Sequence, residues 1–198
     1  MNRRRFAFTA PALALFAAGL LTACQNQDKS SDPAAPPPAA KLSAKEVYAL
    51  ATKGNGFTVG PIMAAHTVYV FFDPACPHCA HLWGEAKPLA ARLKIVWMPI
   101  NLLRNTSGPQ GATILSAASP PAAMEENESS VLAHGSGIAV ASSLPDDVLA
   151  KVRTNTELFN QAGAESVPLI VFQNGKTGEY GLHAGAVSTQ ELAAMAGI

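Results

Sequence analysis

The 198-residue chain has few cysteines and few basic residues. It has only three cysteines, and its 14 Lys and Arg residues balance 14 Asp and Glu residues. Three arginines lie at positions 3–5, and the chain beyond residue 23 keeps 11 basic against 14 acidic residues, a net charge near −3. Because nucleic-acid binding depends on Lys and Arg that neutralise phosphates, this composition is a poor fit to that function.

The composition favours one folded domain without internal repeats. Hydrophobic residues make up 48% of the chain, which is enough for a core and excludes disorder as its overall state. A length of 198 residues also lies within the usual range of a single domain.

The first 23 residues have the pattern of a bacterial export signal. Arginines at 3–5 precede an almost entirely apolar run, residues 6–23, which Pro11 interrupts and which ends just before Cys24. The tetrad Leu-Thr-Ala-Cys resembles a lipobox, which implies cleavage before Cys24 and a lipid on its sulfur. An uncleaved membrane anchor that ends in a cysteine by chance is the alternative. Each buried CH₂ contributes about 0.8 kcal/mol, so several acyl chains would hold a domain firmly at a membrane.

The residues around Cys24 and the arginines at 3–5 indicate the export route and the membrane to which the protein is delivered. Gln25 stands where an Asp would imply inner-membrane retention in enteric lipoproteins, so the resemblance favours the outer membrane over the inner one. The arginines fit a loose twin-arginine pattern and an ordinary secretory signal, and both routes lead out of the cytoplasm. Residues 24–40 are rich in proline, alanine and serine and predict an extended tether.

Residues 41–198 alternate strand and helix patterns, which predicts an α/β domain with a mixed sheet. Asn174-Gly175 predicts a two-residue hairpin between the last two strands. The predicted strands are 67–72, 94–100, 167–172 and about 178–182. The predicted helices are a capped helix from Ser43 to about Lys53, a stretch over 80–93 that breaks near Pro88, three pieces between 111 and 162, and a final helix capped at Ser188.

Cys76 and Cys79 are the two cysteines beyond the predicted tether. Exported proteins usually use cysteine pairs as structural disulfides. A bridge across only two residues, however, closes a very small loop and removes little entropy from the unfolded chain. The pair lies at a predicted strand-to-helix junction, which favours a reactive dithiol.

The sequence Cys-Pro-His-Cys suits thiol chemistry at each position. Cys76 would lie at a helix N-terminus, where free N–H groups and the helix dipole favour a thiolate. Pro77 suits the first turn because it has no N–H, and His78 adds partial positive charge. Such surroundings lower a cysteine pKa from about 8.5 into the range of about 3.5–7.5. Cys79 would be shielded and keep a higher pKa, so we expect Cys76 to form a mixed disulfide and Cys79 to resolve it.

The stretch 71–79, Phe-Phe-Asp-Pro-Ala-Cys-Pro-His-Cys, resembles the active-site stretch of the periplasmic DsbC/DsbG family. The likeness to the DsbG branch extends over about 41–198. It implies an α/β, thioredoxin-like fold with a helical subdomain inserted at about 105–163. It further implies thiol–disulfide exchange on exported cysteine-containing proteins. We also expect recycling by a membrane redox partner and no cofactor or metal. Further segments that carry the likeness are Trp83, 112–115, 155–162, Val167-Pro168, Gly185 and Ser188.

Pro168 corresponds to the family's cis-proline, which lies against the active-site disulfide, with Val167 exposing its backbone for substrate pairing. From the residues alone, a proline at the start of a buried strand indicates either a cis turn or an ordinary trans proline.

Three features depart from the family pattern. Residues 41–66 leave room for a linker helix and no more, whereas family members carry a dimerisation domain, so we expect a monomer. His78 replaces a tyrosine and Val167 replaces a threonine, and both residues are those of the oxidase DsbA. Because a stabilised thiolate makes a disulfide more oxidising, the two changes favour oxidation, while the choice between oxidase and reductase stays open.

Two functions of other classes are also open. A metal carrier, for instance for Cu(I), would use Cys76, Cys79 and a nearby histidine, but the chain has no second cysteine pair and no Met/His-rich run. A non-catalytic adaptor would use the fold only to bind partners.

The remaining conspicuous side chains predict structure rather than chemistry. Asp73 is expected to position the turn before Cys76. The histidines elsewhere are scattered and indicate no metal cluster. The others are Trp83 and Trp97, expected in the core or in a groove; His81, expected on a helix surface; and Glu125, Glu126 and Glu128, expected on a solvated helix face.

Overall fold

A computed structural model describes residues 41–64 and 66–198 of the chain. The export signal, the tether and Cys24 lie outside the described residues, so the expectations about them stay predictions. Within the part that the structure describes, no helix combines the length and apolar character needed to cross a membrane.

A five-stranded mixed sheet forms the centre of the domain. Its strands are β1 (Phe57–Val59), β2 (Thr67–Phe72), β3 (Lys94–Pro99), β4 (Leu169–Gln173) and β5 (Tyr180–Ala184). They lie in the order β1-β3-β2-β4-β5. Strand β2 is central because its Val, Tyr and Phe side chains can pack on both faces of the sheet. It pairs parallel with β3 and antiparallel with β4, and the two outer pairings are antiparallel. The mixed sheet is therefore as predicted.

Six helices lie in the part of the chain that the structure describes. The first and last begin at Ser43 and Ser188 with the predicted capping boxes, in which each serine and the glutamate three residues later satisfy each other's backbone N–H groups. The second helix ends before Pro88 and passes into a short 3₁₀ turn, Lys87–Leu89. The helices are α1 (Ala44–Ala51), α2 (Pro77–Ala86), α3 (Ser107–Ser116), α4 (Pro120–Leu132), α5 (Asp146–Gln161) and α6 (Thr189–Ala196).

Helices α3, α4 and α5 form the block between β3 and β4 that the sequence predicted. Proline at the first position of α4 suits a helix start, because its missing N–H would have no partner there. Buried Asn155 ties α5 to the sheet: its Nδ2 donates to the carbonyls of Asn55 at 2.7 Å and Pro99 at 2.9 Å, and its Oδ1 accepts from the Asn55 N–H. These bonds hold the helical block against the edge of the sheet next to which the two cysteines lie.

Strand β1 was not predicted, and the expectation that 41–66 holds only a linker helix is wrong. Phe57–Val59 pairs antiparallel with β3, with Phe57 opposite Trp97. Three residues are too few to show an alternating pattern, so only the pairing with β3 makes this segment a strand.

The predicted two-residue hairpin is also wrong. Gln173 pairs with Tyr180, so six residues, 174–179, connect β4 to β5. The Asn174 side chain accepts from the N–H groups of residues 176 and 177 and donates to carbonyls at the end of α6. The Gly175 N–H donates to the Ala196 carbonyl at 2.9 Å. The contacts with α6 therefore determine the conformation of this connection. A prediction from the local turn sequence does not take such distant contacts into account.

Candidate active site

The dithiol motif lies where β2 ends and α2 begins. Cys76 is the N-cap residue of α2 and has an extended backbone, and Pro77 occupies the first helical position. The Cys76 carbonyl accepts from the N–H groups of Cys79 at 3.1 Å and Ala80 at 3.2 Å, which closes the first turn. The turn places both cysteine side chains on the inner side, and Pro77 and His78 are exposed.

Cys76 and Cys79 are free thiols, and their pKa values shift in opposite directions. A hydrogen bond from Cys79 lowers the pKa of the Cys76 thiol to about 7, and the backbone N–H groups of Cys79 and His78 act in the same direction against burial and the nearby Asp73. Burial raises the pKa of the Cys79 thiol well above its ordinary value. Of the two thiols, Cys76 therefore loses its proton first and forms the thiolate, while Cys79 keeps its proton. His78 contributes to this shift through its backbone N–H.

The segment before β4 lies against Cys76. The Val167–Pro168 peptide bond is cis. In its protonated form, the Cys76 thiol donates to the Val167 carbonyl oxygen at 3.6 Å, a contact between residues 91 positions apart. The structure thus brings together Cys76, Cys79, Val167 and Pro168, and the exposed Pro77 and His78 lie at the rim.

The buried Asp73 carboxylate accepts hydrogen bonds from four groups around the dithiol motif, and we call this set of bonds the Asp73 clamp. Its Oδ1 accepts from the Ala75 N–H at 2.8 Å and from the Ser107 hydroxyl at 2.7 Å. Its Oδ2 accepts from the N–H groups of Leu102 and Leu103, both at 2.8 Å. The clamp joins the motif turn to the loop after β3 and to α3, in agreement with the positioning role expected for Asp73. The two leucines expose 41% and 50% of their surface beside the motif, and no sequence signal marked them.

Helix α4 presents a buried polar pair to the same turn, and the expectation of a solvated face is wrong for Glu128. Asn127 donates from Nδ2 to the Pro74 carbonyl at 2.9 Å and accepts from the Ile138 N–H at 2.9 Å. Glu128 is 1% exposed. The buried positions 124, 127, 128 and 131 follow helical spacing, so the signal was present, but two polar residues in the stripe concealed it.

The Glu128 carboxyl has one weak partner. Its Oε1 accepts from Asn127 at 3.3 Å, and its Oε2 has no hydrogen-bond partner. Burial, together with the negative charges of Cys76, Asp73 and Glu125, raises the pKa of Glu128 to about 9 against the hydrogen bond from Asn127. A neutral carboxylic acid therefore lies close to the dithiol at pH 7.

The other acidic residues of α4 behave differently. Glu125 accepts from the Trp83 Nε1 at 2.6 Å and pairs with the Lys87 ammonium at 2.6 Å, which joins α4 to α2. Glu126 is exposed, as expected. Trp83 and Trp97 are both buried, with ring centroids 5.1 Å apart, so they belong to the core.

No group of three or more His, Cys, Asp or Glu side chains among the described residues could hold a metal ion. His81 lies on the helix surface, as expected.

No protein-family model matches the chain. Two curated proteins named thiol:disulfide interchange protein DsbG are similar to it. That of Pseudomonas aeruginosa is 28% identical over 181 residues, which are 90% of this chain and 69% of the relative. That of Escherichia coli is 24% identical over 109 residues, which are 54% of this chain and 43% of the relative.

Solved structures share the fold at lower sequence identity. A periplasmic thioredoxin-like protein from Salmonella enterica serovar Typhimurium has a TM-score of 0.61 at 17% identity, covering 79% of this chain and 97% of that one. The catalytic domain of Proteus mirabilis ScsC has a TM-score of 0.60 at 20% identity, covering 77% and 93%. The thiol-disulfide exchange protein alpha-DsbA2 from Wolbachia pipientis has a TM-score of 0.54 at 14% identity, covering 75% and 93%.

These likenesses and the dithiol at the start of α2 give the class of the protein: it has a thioredoxin-like fold and is a protein disulfide oxidoreductase. Within that class, its sequence is DsbC/DsbG-like, that of a thiol:disulfide interchange protein. The metal-carrier alternative is not favoured.

Proposed function

We propose that the domain exchanges disulfides with exported proteins through Cys76 as the attacking sulfur and Cys79 as the resolving one. The observation that carries this assignment is the pair of opposite pKa shifts on neighbouring thiols, down to about 7 for Cys76 and upward for Cys79. The thiolate is the nucleophile in thiol–disulfide exchange, so the first attack belongs to Cys76.

In the reducing direction, the Cys76 thiolate attacks one sulfur of a substrate disulfide. A bond forms between Cys76 and that sulfur, and the other substrate sulfur leaves as a thiolate. Cys79 then loses its proton and attacks the Cys76 sulfur, so that the intramolecular disulfide forms and the second substrate sulfur leaves as a thiolate. The oxidising direction is the same sequence in reverse.

We assign substrate positioning to Val167 and Pro168. Their support is the 3.6 Å contact between the Cys76 sulfur and the Val167 carbonyl, which puts this backbone beside the reacting sulfur. An extended substrate segment that pairs with the Val167 backbone would hold its own sulfur close to Cys76. Holding the two sulfurs together in this way lowers the entropic cost of a reaction between two molecules. Pro77 and His78, which are exposed between the two cysteines, adjust the redox properties of the Cys76 thiolate.

We further propose a periplasmic location, with residues 1–23 removed, Cys24 lipidated, residues 24–40 as a tether and residues 41–198 as the exchange domain. The outer membrane is favoured over the inner one, and a membrane redox partner recycles the dithiol. The support is the lipobox-like tetrad before Cys24 and the proline-rich composition of the tether.

The test uses the full chain in a Gram-negative host. We expect Cys79→Ser to accumulate mixed disulfides with exported proteins, visible on non-reducing gels, because the resolving sulfur is gone. Cys76→Ser, the matched control, should accumulate none. Adding Cys24→Ala to Cys79→Ser should remove the trapped complexes from the outer-membrane fraction.

Equal trapping by the Cys79→Ser and Cys76→Ser variants would contradict the assignment of the two sulfurs. Unchanged fractionation of Cys24→Ala would contradict the lipid anchor and leave the thiol chemistry standing.

A further inference from the structure

The turn that follows β1 exposes two large apolar side chains. The Ala64 N–H donates to the Pro61 carbonyl at 3.1 Å, which makes Ile62 and Met63 the two central residues of a tight turn. Glycine, asparagine, aspartate, serine and proline are the usual residues of such turns. Ile62 is 76% exposed and Met63 is 93% exposed, the highest values among the large hydrophobic residues that the structure describes. Packing within the domain therefore does not account for these two side chains.

The base of the turn is held at one end of the sheet. Gly60 has a φ of +101°, and a Cβ at this position would collide with the Leu93 carbonyl oxygen. Only glycine therefore lets the chain pass so close to the segment before β3. The turn leads into the start of β2, next to the start of β3. The dithiol follows the other end of β2, about 20 Å away along its six residues.

The segments beside the turn carry an excess of positive charge. Residues 90–94 lie against Gly60, and residues 174–179 lie against His66. These two segments contain three basic residues and one acidic residue, whereas residues 41–198 together contain 10 basic and 12 acidic residues. The four charged residues are Arg92, Lys94, Lys176 and Glu179. An apolar tip with basic residues around it is the combination that binds an anionic lipid surface.

We propose that Ile62 and Met63 insert into the surface of the membrane to which Cys24 anchors the chain, and that this contact turns the dithiol end of the domain away from the lipid. The inference rests on the lipid anchor of the proposed function. The lipid on Cys24 limits only how far the domain can move from the membrane. The turn would determine which end of the domain faces the membrane, and it would leave Cys76 open to exported substrates.

The predicted tether is long enough for this orientation. Lys41, the first residue of the domain, lines a groove with Leu169 and Ala184. Leu169 pairs with Phe71 near the end of β2, so the tether joins the domain on the dithiol side. A domain of this size has a radius of gyration of about 15 Å. Residues 24–40 could span about 50 Å when extended, which is enough to pass along the domain and reach the membrane.

The anchor also explains how so small a contact can be effective. Two side chains bury much less apolar surface than an acyl chain does, so the turn alone would bind lipid weakly. Once Cys24 is anchored, insertion of the turn is an intramolecular step with an effective concentration of about one millimolar. A weak contact is then formed for much of the time.

Oxidation of Met63 measures this contact. The lipidated wild-type chain, in its disulfide form, is placed on vesicles of phosphatidylethanolamine and phosphatidylglycerol and treated with dilute hydrogen peroxide. Mass spectrometry then follows sulfoxide formation at Met63. The mature Cys24→Ala chain, free in solution, gives the reference rate. We expect oxidation on the vesicles to be slower by about threefold or more, since the anchor keeps the turn at the lipid.

Two variants and a second lipid identify the cause. Ile62→Ser keeps Met63 as the reporter, and most of the protection should be lost because the turn then lacks one of its two inserted side chains. Leu102→Ser, which removes an exposed leucine near the other end of β2, is the matched control and should protect Met63 as the wild-type chain does. Vesicles of phosphatidylcholine alone should protect Met63 less, because they offer no net negative charge to the basic residues beside the turn.

Equal oxidation rates on vesicles and in solution would overturn the inference, and so would full protection in Ile62→Ser. Protection in intact cells without protection on vesicles would mean that a protein covers the turn, which would also overturn the assignment to lipid. A wild-type chain whose N-terminal peptide carries no lipid in the mass spectrum would instead remove the proposed anchor, and this inference with it.

Discussion

At the scale of single residues, two identical side chains three positions apart have opposite acid–base properties. Cys76 receives hydrogen bonds from the Cys79 thiol and from backbone N–H groups, whereas Cys79 is simply buried. Strong oxidants of the DsbA type have an attacking-cysteine pKa of about 3.5, and thioredoxin has one of about 7. A pKa of about 7 for Cys76 therefore supports the reducing direction, although His78 and Val167 match the oxidase.

The alkylation rate of Cys76 should follow its thiolate, rising with pH to a midpoint at about 7. Cys79→Ala removes the largest stabilising contact, so the pKa of Cys76 should rise and alkylation at pH 7 should slow. His78→Ala keeps the backbone N–H and should change the profile less. Iodoacetamide labelling followed by mass spectrometry measures the profiles. An unshifted midpoint in Cys79→Ala would contradict the thiol–thiol hydrogen bond, and a midpoint near 3.5 would mark an oxidant.

At the scale of elements, the helical block is joined to the sheet by buried polar side chains. Asp73, Asn127 and Asn155 each bind backbone groups of another element. Such contacts specify where the elements lie, since a misplaced helix would leave several buried polar groups unsatisfied. Glu128 is the exception on α4, because its Oε2 is unsatisfied and its burial opposes folding.

Glu128→Gln should stabilise the dithiol form at neutral pH. The pKa of Glu128 is raised to about 9 in the folded protein, above the ordinary 4.5. Its favourable contribution is therefore complete below pH 4.5 and is lost as pH rises toward 9. Over the 2.5 units from pH 4.5 to pH 7, this loss is about 3 kcal/mol. Urea unfolding under reducing conditions should show that gain for Glu128→Gln at pH 7 and none at pH 4. A gain of the same size at both pH values would mean that the carboxyl is not the cause.

At the scale of the whole domain, distant segments meet at one edge of the sheet. Val167 reaches Cys76 because β4 pairs antiparallel with β2 and starts where β2 ends. Asp73 also binds the backbone N–H groups of Leu102 and Leu103, whose side chains are partly exposed. The Cys76 sulfur therefore lies close to the Val167 carbonyl and to the apolar surface of Leu102 and Leu103. Such a surface can bind an unfolded substrate that exposes apolar residues around its cysteine.

Replacing both leucines, Leu102→Ser with Leu103→Ser, should lower kcat/KM for an unfolded disulfide-containing protein by about tenfold or more, since 1.4 kcal/mol of lost apolar contact is a factor of ten. Reaction with glutathione disulfide, which is too small to use this surface, should be unchanged. Leu182→Ser on β5, a leucine with 39% exposure, is the matched control. Equal losses on both substrates would indicate damage to the motif rather than a lost docking contact.

Much of the fold was predictable because its signals are local. The capping boxes at Ser43 and Ser188 depend on residues three positions apart, and the apolar runs of β2 and β3 are visible as such. Strand β1 and the connection after β4 were not predictable. Both take their form from partners far along the chain, β3 in one case and α6 in the other.

The same division holds for the active site. The sequence by itself determined the dithiol and its position at a helix start, because Cys-Pro-His-Cys after an apolar strand is a local pattern whose chemistry depends on the first helical turn. Only the tertiary structure decided which groups surround the sulfurs. Val167 lies against Cys76, and Glu128 is buried instead of solvated, because β4 and α4 pack on the motif turn from segments about 50 to 90 residues away. Polarity along a helix shows which residues prefer water, but packing determines which of them lose it.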